Sequence, residues 1–149
     1  VGFSLSNNKD RLPSATIDLD LALTRFANVN GKRIFLTPNL LNRNNYVPEA
    51  VTNRKTNVVR RIGFTDIDSI RYTLPEEIYP EFLPEQVKLT SRFGEYEAHF
   101  IVDQGSLLYV RRLKMKKGEF PPSAYEELIE FYRNIRKADN IKMVFMSKT

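Results

Sequence analysis

The segment Gly94–Lys116, GEYEAHFIVDQGSLLYVRRLKMK, constrains the fold of this chain more than any other. Apolar and polar side chains alternate toward both of its ends, the period-two signature of a strand with one wet face, and Gln104-Gly105 breaks it in the middle. A two-residue turn there makes antiparallel partners of residues whose numbers sum to 209. In that register Tyr96 faces Leu113, Phe100 faces Tyr109 and Val102 faces Leu107, all on an apolar face. The other face sets Glu97 against Arg112 and Glu95 against Lys114, cross-strand pairs worth roughly 0.2 to 1 kcal/mol each when exposed. Much of the basic run, five residues in the seven from Arg111 to Lys117, is thereby answered within its own hairpin. Arg111 is the exception. Alternation turns it to the apolar face opposite Ala98, where it requires a carboxylate, carbonyl or aromatic partner that the sequence does not name.

Strand patterns recur elsewhere. In TIDLDLAL, Ile17, Leu19 and Leu21 alternate with Asp18, Asp20 and Ala22, and Asn30-Gly31 signals a tight turn before a strand at Ile34–Leu36. The Asn-rich stretch Pro38–Asn57 reads as a long connection with at most a short strand. Further strands are predicted at Val58–Phe64, Ser69–Leu74 and Gln86–Phe93, while the three prolines of LPEEIYPEFLPE argue against any regular ladder between the last two. PPSAYEELIEFYRNIRKADN is predicted to be helical. Ser123 and Glu126 stand at capping-box spacing, and Arg136 and Lys137 lie where the helix dipole favours cations. Tyr125, Leu128, Ile129, Tyr132 and Ile135 form one apolar stripe, read as a core face. IKMVFMS reads as a last strand. Short strands in series with one late helix predict a mainly β fold: an antiparallel β-sandwich, immunoglobulin-like, with one C-terminal α-helix followed by a final strand.

At 149 residues the chain is long enough for one domain with its own core. The absence of cysteine removes thiol nucleophiles, Cys-based zinc sites and disulfides together. No apolar run approaches the roughly 20 residues of a membrane helix. The start VGFSLSNN has neither an initiator Met nor a charged segment before an apolar one, so an excised or processed piece is expected. Residues 1–12 are read as an N-terminal extension or partial strand and 13–149 as the domain proper.

The candidate functional residues are few. His99, the sole histidine, falls on the polar face of the hairpin and is expected to face solvent, since no nucleophile motif accompanies it. Asp18 with Asp20, and Asp66 with Asp68, lack the kinked loop and further oxygens of a cation site and are read as solubilising; no metal and no cofactor is expected. Arg112, Lys114, Lys116 and Lys117 form a positive strip, a candidate interaction surface. Nucleic acid is not an expected partner, because the aromatics of the same hairpin alternate to the buried side instead of interleaving with the cations. Tyr46, Tyr79 and Phe82, in the Asn-rich and proline-rich segments, are candidates for an exposed aromatic platform.

Three stretches carry a resemblance: GKRIFLTPNLLNR, LPEEIYPEFLPEQVKLTSRFGEYEAHF and LLYVRRLKMKKGEFPPSAYEELIEFYRNIRKADNIKMVF. They resemble the C-terminal domain of unknown function of large Bacteroidetes proteins that join an N-terminal domain, a central transglutaminase-like domain and a β-rich tail. The resemblance runs from about Pro13 to the end, with FGEY, YVRRL, KGEFPP and the helix ending in RKADN as its most specific block. It implies a location in the periplasm or cell envelope. It also implies a non-catalytic accessory domain whose partner is the adjacent transglutaminase-like domain of the same parent, a cysteine protease-like unit. Cys, His and Asp chemistry would belong to that central domain, and none of its motifs occurs in this cysteine-free chain. The alternative expectation is a module that binds cell-wall glycan or a partner protein through the aromatic platform. An enzyme built on His99 ranks third.

Overall fold

Alternation becomes structure in twelve strands and one α-helix of the computed structural model, which describes residues 2–148. The strands β1 (Gly2–Asn8), β2 (Ser14–Asp20), β3 (Asn28–Asn30), β4 (Arg33–Leu36), β5 (Val58–Arg60) and β6 (Phe64–Thr73) come first. Then follow β7 (Ile78–Phe82), β8 (Val87–Ser91), β9 (Gly94–Asp103), β10 (Ser106–Met115) and β11 (Gly118–Phe120). A 3-10 turn at Pro122–Ala124 leads into α1 (Tyr125–Asp139), and β12 (Met143–Ser147) closes the fold. Two four-stranded antiparallel sheets, ordered β6-β10-β9-β8 and β3-β4-β12-β7, are accompanied by the ribbons β1-β2 and β5-β11. The fold is mainly β, with antiparallel sheets and one C-terminal helix followed by a final strand, as the sequence predicts.

The β9–β10 register runs from Asp103 opposite Ser106 to Gly94 opposite Met115, the pairing derived from the turn. Gly105 takes the left-handed φ of +70° that the turn needs. Leu107, Tyr109, Arg111, Leu113 and Met115 are buried in alternation with partly exposed neighbours. At one end of this face Leu107 packs with Leu36, Met143 and Phe145, so the two sheets meet there. At the other end Tyr96, Leu113 and Met115 meet Leu128, Phe131 and Ile135 of α1. One sheet face is thus covered by sheet at one end and by helix at the other. Gly94 is required by close approach: a Cβ there would lie 2.1 Å from the Lys114 carbonyl oxygen.

Four expectations are corrected. The proline-rich segment does contain a ladder strand, β7, which pairs with β12 at the sheet edge. Pro80 is accommodated there because an edge strand leaves half its N–H groups without ladder partners, and the register shifts at Val144/Phe145 beside it. Ser123 does not cap α1: the 3-10 turn carries the chain directly into the helix, Ala124 is the cap residue, and no side chain bonds to the first turn. Val102 is exposed, because β8 reaches only as far as Ala98 and leaves the last part of β9 at the edge of its sheet. The apolar residues of β2 are exposed too. Their strand pairs with β1 in a ribbon whose seven residues on each strand are all exposed, so the opening residues and TIDLD form one hairpin.

Candidate functional site

The inward Arg111 finds two carboxylates. Its Nε and Nη2 donate to the two Asp139 oxygens at 2.8 Å each, and its Nη1 donates to Asp68 at 3.0 Å. Asp139, the last residue of α1, also accepts from the Tyr96 hydroxyl at 2.7 Å and from the Asn44 backbone N–H at 2.7 Å. Asn42 in turn donates to Asp68 at 3.1 Å. Arg111 and Asp139 are each 1% exposed, so the fork is desolvated and fully hydrogen-bonded on the Asp139 side. Burial works against the Arg111 charge, yet the Asp139 hydrogen bonds and charge outweigh it and hold the guanidinium pKa above its ordinary value. Burial, reinforced by the Asp139 charge, pushes the Tyr96 phenol up. The arrangement ties sheet, helix terminus and Asn-rich loop to one point. Asp68, read from sequence as solubilising, belongs to this network instead.

The four cations of the basic strip lie on two consecutive segments. Arg112 and Lys114 project from the outer face of β10, whereas Lys116 and Lys117 lie in the link to β11. Glu97 and Glu95 stand opposite Arg112 and Lys114 as derived, but the ion pairs form elsewhere: Arg112 reaches diagonally to Glu95 at 3.6 Å, and Glu97 pairs with Lys88 at 3.5 Å. The third strand, β8, supplies Lys88 and the Gln86 that precedes it as competitors, which a two-strand reading leaves out. His99 lies on the same face opposite Val110 and is half-buried, not fully solvent-facing. Its Nδ1 is withdrawn from water without a hydrogen-bond partner among the described residues. No group of three His, Asp or Glu among the described residues is placed to hold a metal ion.

Tyr46, Tyr79 and Phe82 are 64%, 43% and 50% exposed. Tyr46 stands edge-on to Tyr132 of α1 at 5.9 Å, while Tyr79 and Phe82 lie on the edge strand β7. On the second sheet Phe82 continues the row Asn28, Phe35, Val144, and Tyr79 continues the row Asn30, Arg33, Met146. Arg33 forks onto Glu81 of β7 at 2.8 and 2.7 Å, which lowers the Glu81 pKa.

An exposed apolar surface lies on the β1–β2 ribbon. Its register sets Phe3 opposite Leu19 and Leu5 opposite Ile17 on one face, with Ser4 opposite Asp18 and Gly2 opposite Asp20 on the other. Ser4 Oγ donates to Asp18 at 3.0 Å across the polar side. Sequence reading found half of this amphipathic ribbon, in TIDLD, and missed β1 as its partner.

These elements define a β-rich, helix-capped module held by a buried ion pair. Residues 32–145 match the family described as "Domain of Unknown Function with solved-structure structure (DUF3858)", and the chain belongs to that family. No curated protein matches the sequence. Among solved structures, the chain is similar to the crystal structure of a "putative protease" from Parabacteroides distasonis, at 16% identity and a TM-score of 0.47. The likeness covers 68% of this chain and 23% of that one, so the chain spans less than a quarter of that protein's length.

Proposed function

We propose that the chain is a non-catalytic accessory domain that seats against a transglutaminase-like domain within a longer cell-envelope protein. The observation that carries this reading is the β1–β2 face, where Phe3, Leu5, Ile17 and Leu19 stand together on one side of a ribbon and in solvent. A lone two-stranded hairpin is marginal in water, and a contiguous apolar patch of this kind ordinarily marks a contact surface. The sequence resemblance to tails of transglutaminase-like proteins supports the identity of the neighbour. The mechanism is burial of apolar area between domains linked in one chain, where tethering offsets the modest size of the patch.

The test is to express a transglutaminase-like region joined to this tail, with Phe3→Asp and Leu19→Asp introduced together, and compare its melting temperature and activity with the unsubstituted protein. A drop in both, with the isolated tail unaffected, is expected. Identical behaviour of the two forms rejects the seating role. A second reading, a module that binds glycan or protein, is favoured by the exposure of Tyr79 and Phe82 on one strand. Titration with soluble cell-wall glycan fragments, followed by tyrosine fluorescence of wild type and Tyr79→Ala, decides it: no change in either protein removes this reading.

A further inference from the structure

A pocket of about 480 Å³ lies beside the second sheet, and its charged lining is entirely positive: Arg25, Arg43 and Lys142, with no carboxylate among the lining residues. All three side chains are exposed, and none makes an ion pair among the described residues. They come from three distant parts of the sequence and converge here without a counter-charge, which mutual repulsion disfavours unless an anion completes the site. A second observation is independent of charge. Asn39, 1% exposed, lines the same pocket; its Oδ1 accepts from the Leu41 and Asn42 N–H groups at 3.2 and 2.9 Å, which fixes the amide, and its Nδ2 has no acceptor. A buried donor without a partner is rare in a finished structure. Arg25 has a φ of +58°, a left-handed conformation that is uncommon for a residue with a side chain. Phe26 and Phe35 supply apolar wall, and Phe35 belongs to the row that ends in Phe82.

We infer that this pocket binds a small oxyanion, a carboxylate or phosphate, carried on a group no larger than one sugar ring. The guanidinium groups offer planar N–H forks that match either anion, Lys142 adds a point charge, and the volume falls in the range of small-ligand sites. The inference does not rest on the seating of the β1–β2 ribbon and uses none of its residues.

The experiment is an NMR titration of the isotopically labelled chain with sodium glucuronate, with inorganic phosphate and with glucose as the neutral control, at low and high salt. Saturable shifts of the Asn39 side-chain amide and the Arg25 and Arg43 Nε–H signals are expected with an anion and not with glucose, weakening as salt rises. The double variant Arg43→Gln, Lys142→Gln is expected to weaken binding by about tenfold or more, whereas Arg112→Gln, Lys114→Gln on the other sheet leaves it unchanged. Response to glucuronate alone identifies a carboxylated sugar as the ligand chemistry, and response to phosphate alone identifies a phosphate. Silence toward both anions overturns the inference, as does binding that the Arg43, Lys142 variant leaves intact in a protein whose circular dichroism is unaltered.

Discussion

In the β9–β10 hairpin the inward residues Tyr96, Tyr109, Leu113 and Met115 are almost wholly withdrawn from water. In the β1–β2 hairpin the corresponding apolar residues, Phe3, Leu5, Ile17 and Leu19, are 75%, 61%, 62% and 53% exposed. Both ribbons are antiparallel and both sort apolar from polar side chains by alternation. The difference lies in what arrives to cover them. Sheet and helix converge on the late hairpin, which also sits between β6 and β8, whereas β1 and β2 pair only with each other. Alternation therefore determines which face is apolar, and the rest of the chain determines whether that face becomes a core.

The contrast can be broken or sharpened by experiment. The largest effect is expected for Arg111→Ala, which strands Asp139 in the interior and should cost about 3 to 5 kcal/mol in urea unfolding. A loss below about 1 kcal/mol would mean that the late hairpin does not depend on its buried charges. Gly94→Ala should follow at about 1 to 3 kcal/mol, because its methyl group would collide with backbone that belongs to β10.

Alkaline pH offers a further probe. Burial raises the Tyr72 pKa to about 12, and burial raises those of Tyr96 and Tyr109 as well. Their folded-state pKa values exceed the ordinary value near 10, so the folded protein holds these protons more tightly. The stability they contribute is complete below pH 10 and is lost as pH rises above it, through about 12 for Tyr72 and beyond that for the more tightly held protons of Tyr96 and Tyr109. Tyrosinate absorbance from these rings should appear together with loss of circular dichroism; absorbance complete while the fold persists would contradict their burial.

A smaller effect is expected for Glu127→Gln, about 1 kcal/mol, since Glu127 accepts from Ser91 Oγ at 2.7 Å and from the Arg92 backbone N–H at 2.9 Å at the turn into β9. The Arg92 and Ser91 hydrogen bonds lower the Glu127 pKa. Its contribution is present above the usual glutamate range and disappears as pH falls through that lowered pKa, so the gap between wild type and variant should close in acid. The smallest effect belongs to Leu5→Ser with Ile17→Ser, within about 0.5 kcal/mol for the chain alone, while amide exchange in β1–β2 stays far faster than in β9–β10. A cost above 1 kcal/mol would show that the ribbon packs on its own body, and the contrast would fail.

What the sequence made legible was local. A two-residue turn and an alternating pattern suffice to derive the β9–β10 register and the inward direction of Arg111. The partner was not legible in the same way, because Asp139 stands 28 residues further along. One signal did point to it: an aspartate in the last helical turn, after Arg136 and Lys137, opposes the dipole preference and so calls for a cation from elsewhere. The capping motif at Ser123 misled because a 3-10 turn took the place of the cap. β7 was obscured by Pro80, whose meaning changes once the strand is known to lie at an edge. The cations of the candidate anion pocket, Arg25, Arg43 and Lys142, share no segment, so only the assembled fold brings them together.

The bond from Asn44 to Asp139 spans 95 positions of the sequence. On a ribosome adding about 5 to 20 residues each second, the Asn-rich loop therefore waits roughly 5 to 20 s for the carboxylate that anchors it. Throughout that interval the Asn44 backbone N–H lacks its final acceptor, and over the last 28 residues of it Arg111, made before its main counterion, must remain hydrated. The Asn-rich loop is consequently anchored late, by Asp139, and only β12 remains to be added after it.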